Sequence, residues 1–139
     1  MSIDPAGEHI AAHARTTPDK PALVMHGSGV VRTFRELDDA SLRLARVLRD
    51  RGLRTGDHLA VLVENQPEFY DAVWAAMRAG LFVTPINWHL VAEEAGYIVG
   101  DCDATALVAS ARLAPVVEAM RPEALARVVD AFRRLDLSY

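Results

Sequence analysis

From Leu59 to Val63 five apolar residues run without a polar break, the pattern of a strand covered on both faces in a parallel sheet. The spacing then changes. Asn65 or Gln66 can cap a helix whose first turn holds Pro67, and Glu68 faces the positive end of its dipole. Phe69, Val73, Ala76 and Met77 recur at helical spacing, and Gly80 predicts a left-handed stop. Leu81 to Thr84 reads as a second strand closed by Pro85. Two parallel strands joined by a helix make a right-handed crossover unit, so an open α/β sheet is expected.

The flanking pattern extends that architecture. Ala6 to Arg15 reads as a short helix, and Ala22–Met25 with Val30–Arg32 as a hairpin around Gly27-Ser28-Gly29. Thr33-Phe34-Arg35-Glu36 is a capping box for a helix that buries Leu37, Ala40, Leu44, Val47 and Leu48 and ends at Gly52. Its opposite face carries Arg35, Asp39, Arg43, Arg46 and Asp50. Beyond Asn87 the pattern predicts a helix over about 91–99 ending at Gly100-Asp101, a strand over 104–108 and a helix over 111–120. Leu125, Val128, Val129, Phe132 and Leu135 then keep helical spacing. The fold class is therefore α/β: a partial doubly wound, mostly parallel sheet with flanking helices and an amino-terminal β-hairpin.

Composition narrows the partners. A net charge of −4 supplies no basic surface for nucleic acid. No apolar run approaches the ~20 residues that span a bilayer. The stretch before Ala22 has early acids and no long apolar core, so no signal peptide is expected. Cys102 is the single cysteine, which excludes an internal disulfide and suits a reducing cytoplasm.

Little catalytic chemistry follows from the residues themselves. No G-x-G-x-x-G and no G-x-x-x-x-G-K-[ST] occurs, and the glycines are absorbed by turns and helix ends. His9 and His13 stand four apart, as a helical metal pair would, but no third ligand is near in sequence, so no metal site is expected. His26 and His58 fall at strand edges, where a structural role is the default. Cys102 lies between Asp101 and Asp103, whose charge disfavours a thiolate, and reads as a packing residue. Asp38-Asp39 and Glu93-Glu94 are adjacent on helices and do not face each other as catalytic pairs do. Asn87, Trp88 and His89 are better placed, just past a strand's carboxyl end where open α/β sheets bind ligands. They are the binding-region candidates; no catalytic, cofactor-binding or metal residue is expected.

Several phrases in order resemble the amino-terminal part of the adenylate-forming superfamily, the acyl-CoA synthetases and their AMP-binding relatives. They are Thr17-Pro18-Asp19-Lys20-Pro21-Ala22-Leu23, Thr33-Phe34-Arg35-Glu36-Leu37, Gly52 with Gly56-Asp57-His58-Leu59-Ala60-Val61, and Asn65-Gln66-Pro67-Glu68-Phe69. Ala79 to Asn87 continues the series. Ile86-Asn87-Trp88-His89-Leu90 with Glu93-Glu94 and Tyr97-Ile98 looks most like the bacterial fatty-acyl-CoA ligase branch. The resemblance covers Ile3 to Pro122.

For a complete enzyme that resemblance implies a carboxylic or fatty acid, ATP with Mg²⁺, and coenzyme A as partners, giving acyl-CoA, AMP and pyrophosphate. The family's Ser/Thr/Gly-rich phosphate loop ending in lysine and its later catalytic lysine have no counterpart here; Lys20, the lone lysine, sits in a turn. Residues 1–122 are thus expected to be an incomplete amino-terminal subdomain and 123–139 a divergent, helical tail. No cofactor is expected for this segment alone. Its expected partners are a downstream chain or a second copy, with no nucleic acid and no membrane span.

Overall fold

The computed structural model of the chain describes residues 9–126 and residue 128. The element order is α1 (Ile10–Thr16), β1 (Pro21–Val24), β2 (Val31–Thr33), α2 (Phe34–Asp50), β3 (His58–Leu62), α3 (Pro67–Ala79), β4 (Phe82–Pro85), α4 (Ala92–Asp101), β5 (Ala106–Ala109) and α5 (Ala114–Glu118). Two 3₁₀ turns, Ala111–Leu113 and Pro122–Leu125, flank α5.

β3 is the central strand of a three-stranded parallel sheet of order β4-β3-β5. Its alternation divides the core in two. Leu59, Val61 and Val63 join α2 and α3 in one cluster, while Ala60 and Leu62 join α4 and α5 in the other. All five residues from Leu59 to Val63 are buried, as expected of a strand with helices on both faces. The chain moves from β3 to β4 through α3 on one face and crosses back to β5 through α4 on the other. Opposite directions on opposite faces are what right-handed crossovers require. β1 and β2 form a separate antiparallel hairpin with an irregular register between Pro21 and Leu23.

Local chemistry explains most boundaries. The Thr33 hydroxyl accepts from the Glu36 N–H at 3.2 Å and the Glu36 carboxylate accepts from the Thr33 N–H at 2.8 Å, completing the capping box of α2. Gly80 ends α3 at φ 70°, and a Cβ there would lie 2.9 Å from Thr55 Cγ2. Its carbonyl also accepts from the Gly56 N–H, so the turn into β3 and the turn into β4 rest on each other. Both conformation and space therefore demand glycine.

Other expectations are corrected. Gln66 holds the cap position of α3, but its side chain makes no capping hydrogen bond; Pro67 begins the helix instead. The buried face of α3 is Ala72, Ala75, Ala76 and Ala79 with Asp71, and Met77 is exposed, because close packing against α2 and the sheet admits only small side chains. The end of α4 at Asp101 is where it was expected, and left-handed Asp103 follows at φ 54°. Gly96 and Gly100 also leave room for Ala124, whose Cβ and Cα would lie 3.4 and 3.8 Å from the respective added Cβ atoms. The helix expected over 111–120 is a 3₁₀ turn followed by the short α5, because Pro115 has no N–H for a continuous ladder and fits only a first turn. His9 precedes α1 as its cap rather than lying within it. Of the helical spacing beyond Pro122, only the turn to Leu125 falls within the described residues, apart from Val128, which packs partly buried against the second core cluster.

Two partly buried ion pairs tie the layers together. Arg32 on β2 donates from one guanidinium nitrogen to both carboxylate oxygens of Asp71, at 2.8 and 2.7 Å, and from the other to Glu68 at 3.2 Å. The hairpin is thereby fastened to α3. Arg78 near the end of α3 donates to Asp38 and to the Ser41 hydroxyl on α2, the latter at 3.1 Å.

Candidate functional site

The strand order places a topological switch point between β3 and β5, because the connections after these neighbouring strands leave toward opposite faces. Crevices outside the carboxyl ends at such points are where open α/β sheets bind ligands. Glu64 lies two residues beyond β3 and Ser110 one residue beyond β5, and the Ser110 N–H donates to the Leu62 carbonyl at 3.2 Å. Both residues are therefore at the switch point.

Their polar atoms are unusual. Glu64 is 9% exposed, and its Oε2 and the Ser110 Oγ are buried without a hydrogen-bond partner among the described residues. Arg112, from the 3₁₀ turn after β5, brings its Nε to 3.9 Å from Glu64 Oε1. The same guanidinium lies 5.8 Å from the centre of the Trp88 ring. One carboxylate, one hydroxyl, one mobile-length cation and one indole face thus meet at this end of the sheet.

Asn87, Trp88 and His89 follow β4 on the other side of β3. The Asn87 side-chain carbonyl accepts from the His89 N–H at 3.0 Å and turns the chain there. The His89 ring lies 3.5 Å from that of Trp88. Trp88 packs against the second core cluster while Asn87 and His89 are exposed. The structure brings Trp88 to Arg112, and through it to Glu64. Sequence reasoning missed Glu64, Ser110 and Arg112. A usable signal existed: Glu64 and Ser110 are the first polar residues after the apolar runs of β3 and β5.

This arrangement can stack a planar group and offer hydrogen-bond acceptors; it holds no nucleophile paired with a base. A cavity of about 410 Å³ lies elsewhere, between α4 and the turn over 122–125, lined by Glu93, Tyr97, Asp101, Arg121 and Glu123 among others. It brings no acid–base pair to the switch point.

His13 stacks on Phe34 at 4.9 Å, whereas His9 meets Trp74 edge-on at 5.3 Å, so the two rings serve different neighbours. Among the described residues no three His, Cys, Asp or Glu side chains converge as metal ligands. Cys102 caps α4, its thiol directed to the Val99 carbonyl.

His9 Nδ1 accepts from the Ala11 N–H at 3.1 Å, which requires that nitrogen to be unprotonated. Burial first, then the charges of Arg78 and Arg15, hold its pKa below the ordinary 6.5. The unfolded chain therefore binds the proton more readily, and the stability contributed by neutral His9 is complete above pH 6.5 and is lost progressively as pH falls below 6.5 through the lowered folded pKa. Thermal melts near neutrality and at about pH 5 should show a larger loss in the wild type than in His9→Asn, whose amide caps without titrating. Equal losses would assign the pH dependence to other groups.

The comparisons with known proteins agree with this geometry. The family described as AMP-binding enzyme matches residues 10–137. The chain is 30% identical over 118 residues to the long-chain-fatty-acid–CoA ligase FadD13 of Mycobacterium tuberculosis, covering 85% of this chain and 24% of that protein. It is 35% identical over 115 residues to a feruloyl-CoA synthase of an Amycolatopsis species, covering 83% and 23%. Among solved structures, the N-terminal domain of FACL13 from Mycobacterium tuberculosis matches with a TM-score of 0.74 at 29% identity, over 84% of this chain and 30% of that one. The chain spans about a quarter of the length of these curated relatives. It belongs to the AMP-binding enzyme family, and its relatives include acyl-CoA and fatty acid ligases.

Proposed function

We propose that this chain is the front part of an AMP-forming acyl-CoA synthetase and is not catalytic as a 139-residue unit. The observation that carries this reading is the family match over residues 10–137 together with the matches to ligases of about four times the length. In the complete reaction a carboxylate oxygen attacks the α-phosphorus of ATP and pyrophosphate leaves. The thiol of coenzyme A then attacks the acyl carbon and AMP leaves. This chain has no glycine loop for the phosphates, and Lys20 is exposed in the turn before β1. ATP, Mg²⁺ and coenzyme A are therefore assigned to residues outside this chain, with a carboxylic or fatty acid as substrate in a reducing cytoplasm. Among the described residues no helix is long and apolar enough to cross a membrane.

ATP–pyrophosphate exchange with fatty acids of several lengths tests the proposal. The purified chain should give no exchange above background, and coexpression with a downstream ligase segment should restore it. Robust exchange by the chain alone would overturn it.

A second reading, a non-catalytic interaction module or half of a split ligase, is favoured by the sheet edges. The outer edges of β4 and β5 are unpaired among the described residues, and Phe82 on β4 is strongly exposed. Both sheet faces are covered by helices, so such a partner would add at an edge. A monodisperse monomer in sedimentation would count against it.

A further inference from the structure

Leu42, Ala45, Arg46 and Arg49 lie on one face of α2 at successive turns. With His9 at the start of α1 and Arg78 near the end of α3, they line a cavity of about 370 Å³. Leu42 and Ala45 form an apolar floor, and three guanidinium groups and an imidazole supply the polar lining. Arg78 is committed to Asp38 and Ser41. Arg46 and Arg49 are exposed, and neither side chain makes an ion pair or hydrogen bond among the described residues. Asp38, the acid nearest this group in the bonding network, is already neutralised by Arg78. Arg78 and Arg15 also disfavour a proton on His9 at the cavity's edge, after the larger effect of burial.

Side chains three residues apart on a helix are neighbours, with Cβ atoms about 5–6 Å from each other. Two guanidinium forks at that separation can grip different oxygens of one tetrahedral anion, a geometry for which arginine is better suited than lysine. We propose that this cavity is a binding site for a phosphate-class anion, held by Arg46 and Arg49 above the apolar floor of Leu42 and Ala45. Its place is far from the switch point in topology. α3 ends where β4 begins, so Arg78 marks the amino end of the strands, opposite to Glu64 and Ser110. The site therefore stands independently of the ligase reading and would act as an allosteric or stabilising anion site rather than a substrate site.

Trp74 supplies the readout, because its ring touches His9 on the cavity's edge. In a Trp88→Phe background Trp74 is the sole indole. Inorganic phosphate and, separately, pyrophosphate would be titrated at constant ionic strength balanced with chloride. A saturable change in Trp74 emission, with a rise in melting temperature, is expected for at least one of the two. Arg46→Gln with Arg49→Gln should weaken that binding by ~10-fold or more, while the melting temperature in chloride alone stays close to the parent. Unchanged affinity in the double variant would overturn the site. So would a response that follows ionic strength without saturating, since that is screening rather than binding.

Discussion

Arg32→Ala is expected to destabilise the chain by about 3–5 kcal/mol, as removing one partner of a buried pair generally does. Asp71 is 1% exposed, and a single nitrogen of Arg32 donates to both of its carboxylate oxygens. Truncating Arg32 removes the guanidinium that bonds both oxygens of a buried carboxylate and joins the β1–β2 hairpin to α3. Urea unfolding would show a lower midpoint with an unchanged slope. Arg32→Met combined with Asp71→Leu should be more stable than Arg32→Ala alone, because no charge is then left stranded. The exposed pairs Arg35–Asp19 and Arg121–Glu93 serve as controls; their side chains are all more than half exposed, and each should be worth at most about 1 kcal/mol. A loss below about 1 kcal/mol for Arg32→Ala would place it with those controls and remove the claim.

That pair also marks the limit of what spacing along the chain can reveal. Arg32 and Asp71 are 39 residues apart, and no local pattern links a strand arginine to a helix aspartate. The elements themselves were largely legible. β3 declared itself by its unbroken apolar run, α2 by its capping box and the end of α3 by Gly80. The apolar spacing of α3 held only in part. Ala76 is buried and Phe69 packs partly buried against the first core cluster, yet Met77 on the same stripe faces solvent, because helix α3 sits so close to its neighbours that alanine fills the contact. Pro115 misled as well, because it divides an apparently continuous helix.

The candidate site was half legible for a related reason. Asn87, Trp88 and His89 stand out as polar and aromatic residues directly after a strand. Glu64 and Ser110 acquire meaning only once β3 and β5 are known to be neighbours, and that is a property of topology rather than of any window of sequence. Arg112 needed the further fact that the turn after β5 folds back over Trp88. Family resemblance reached the ligase assignment without any of these residues, through ordered phrases that belong mostly to the scaffold.

Leu44→Ala should cost about 3–4 kcal/mol, in the middle of the range for buried leucines. Leu44 is 1% exposed in the cluster that joins α2, α3 and the inner face of the sheet. The α3 side of that cluster is built from Ala72, Ala75, Ala76 and Ala79, which have no side-chain atoms beyond Cβ to lean into a void. Collapse around the lost atoms is therefore limited, and most of the cavity penalty should remain. The same geometry predicts that Ala76→Leu overpacks the cluster and costs about 1–3 kcal/mol. Combining the two substitutions tests the argument more sharply than either one. If Leu44 and Ala76 share one volume, the double variant should lose clearly less than the sum of the single losses, since the added side chain enters the space the other vacates. Strict additivity in urea unfolding would show that the α2–α3 layer accommodates each change separately and that the alanine face of α3 does not set the spacing.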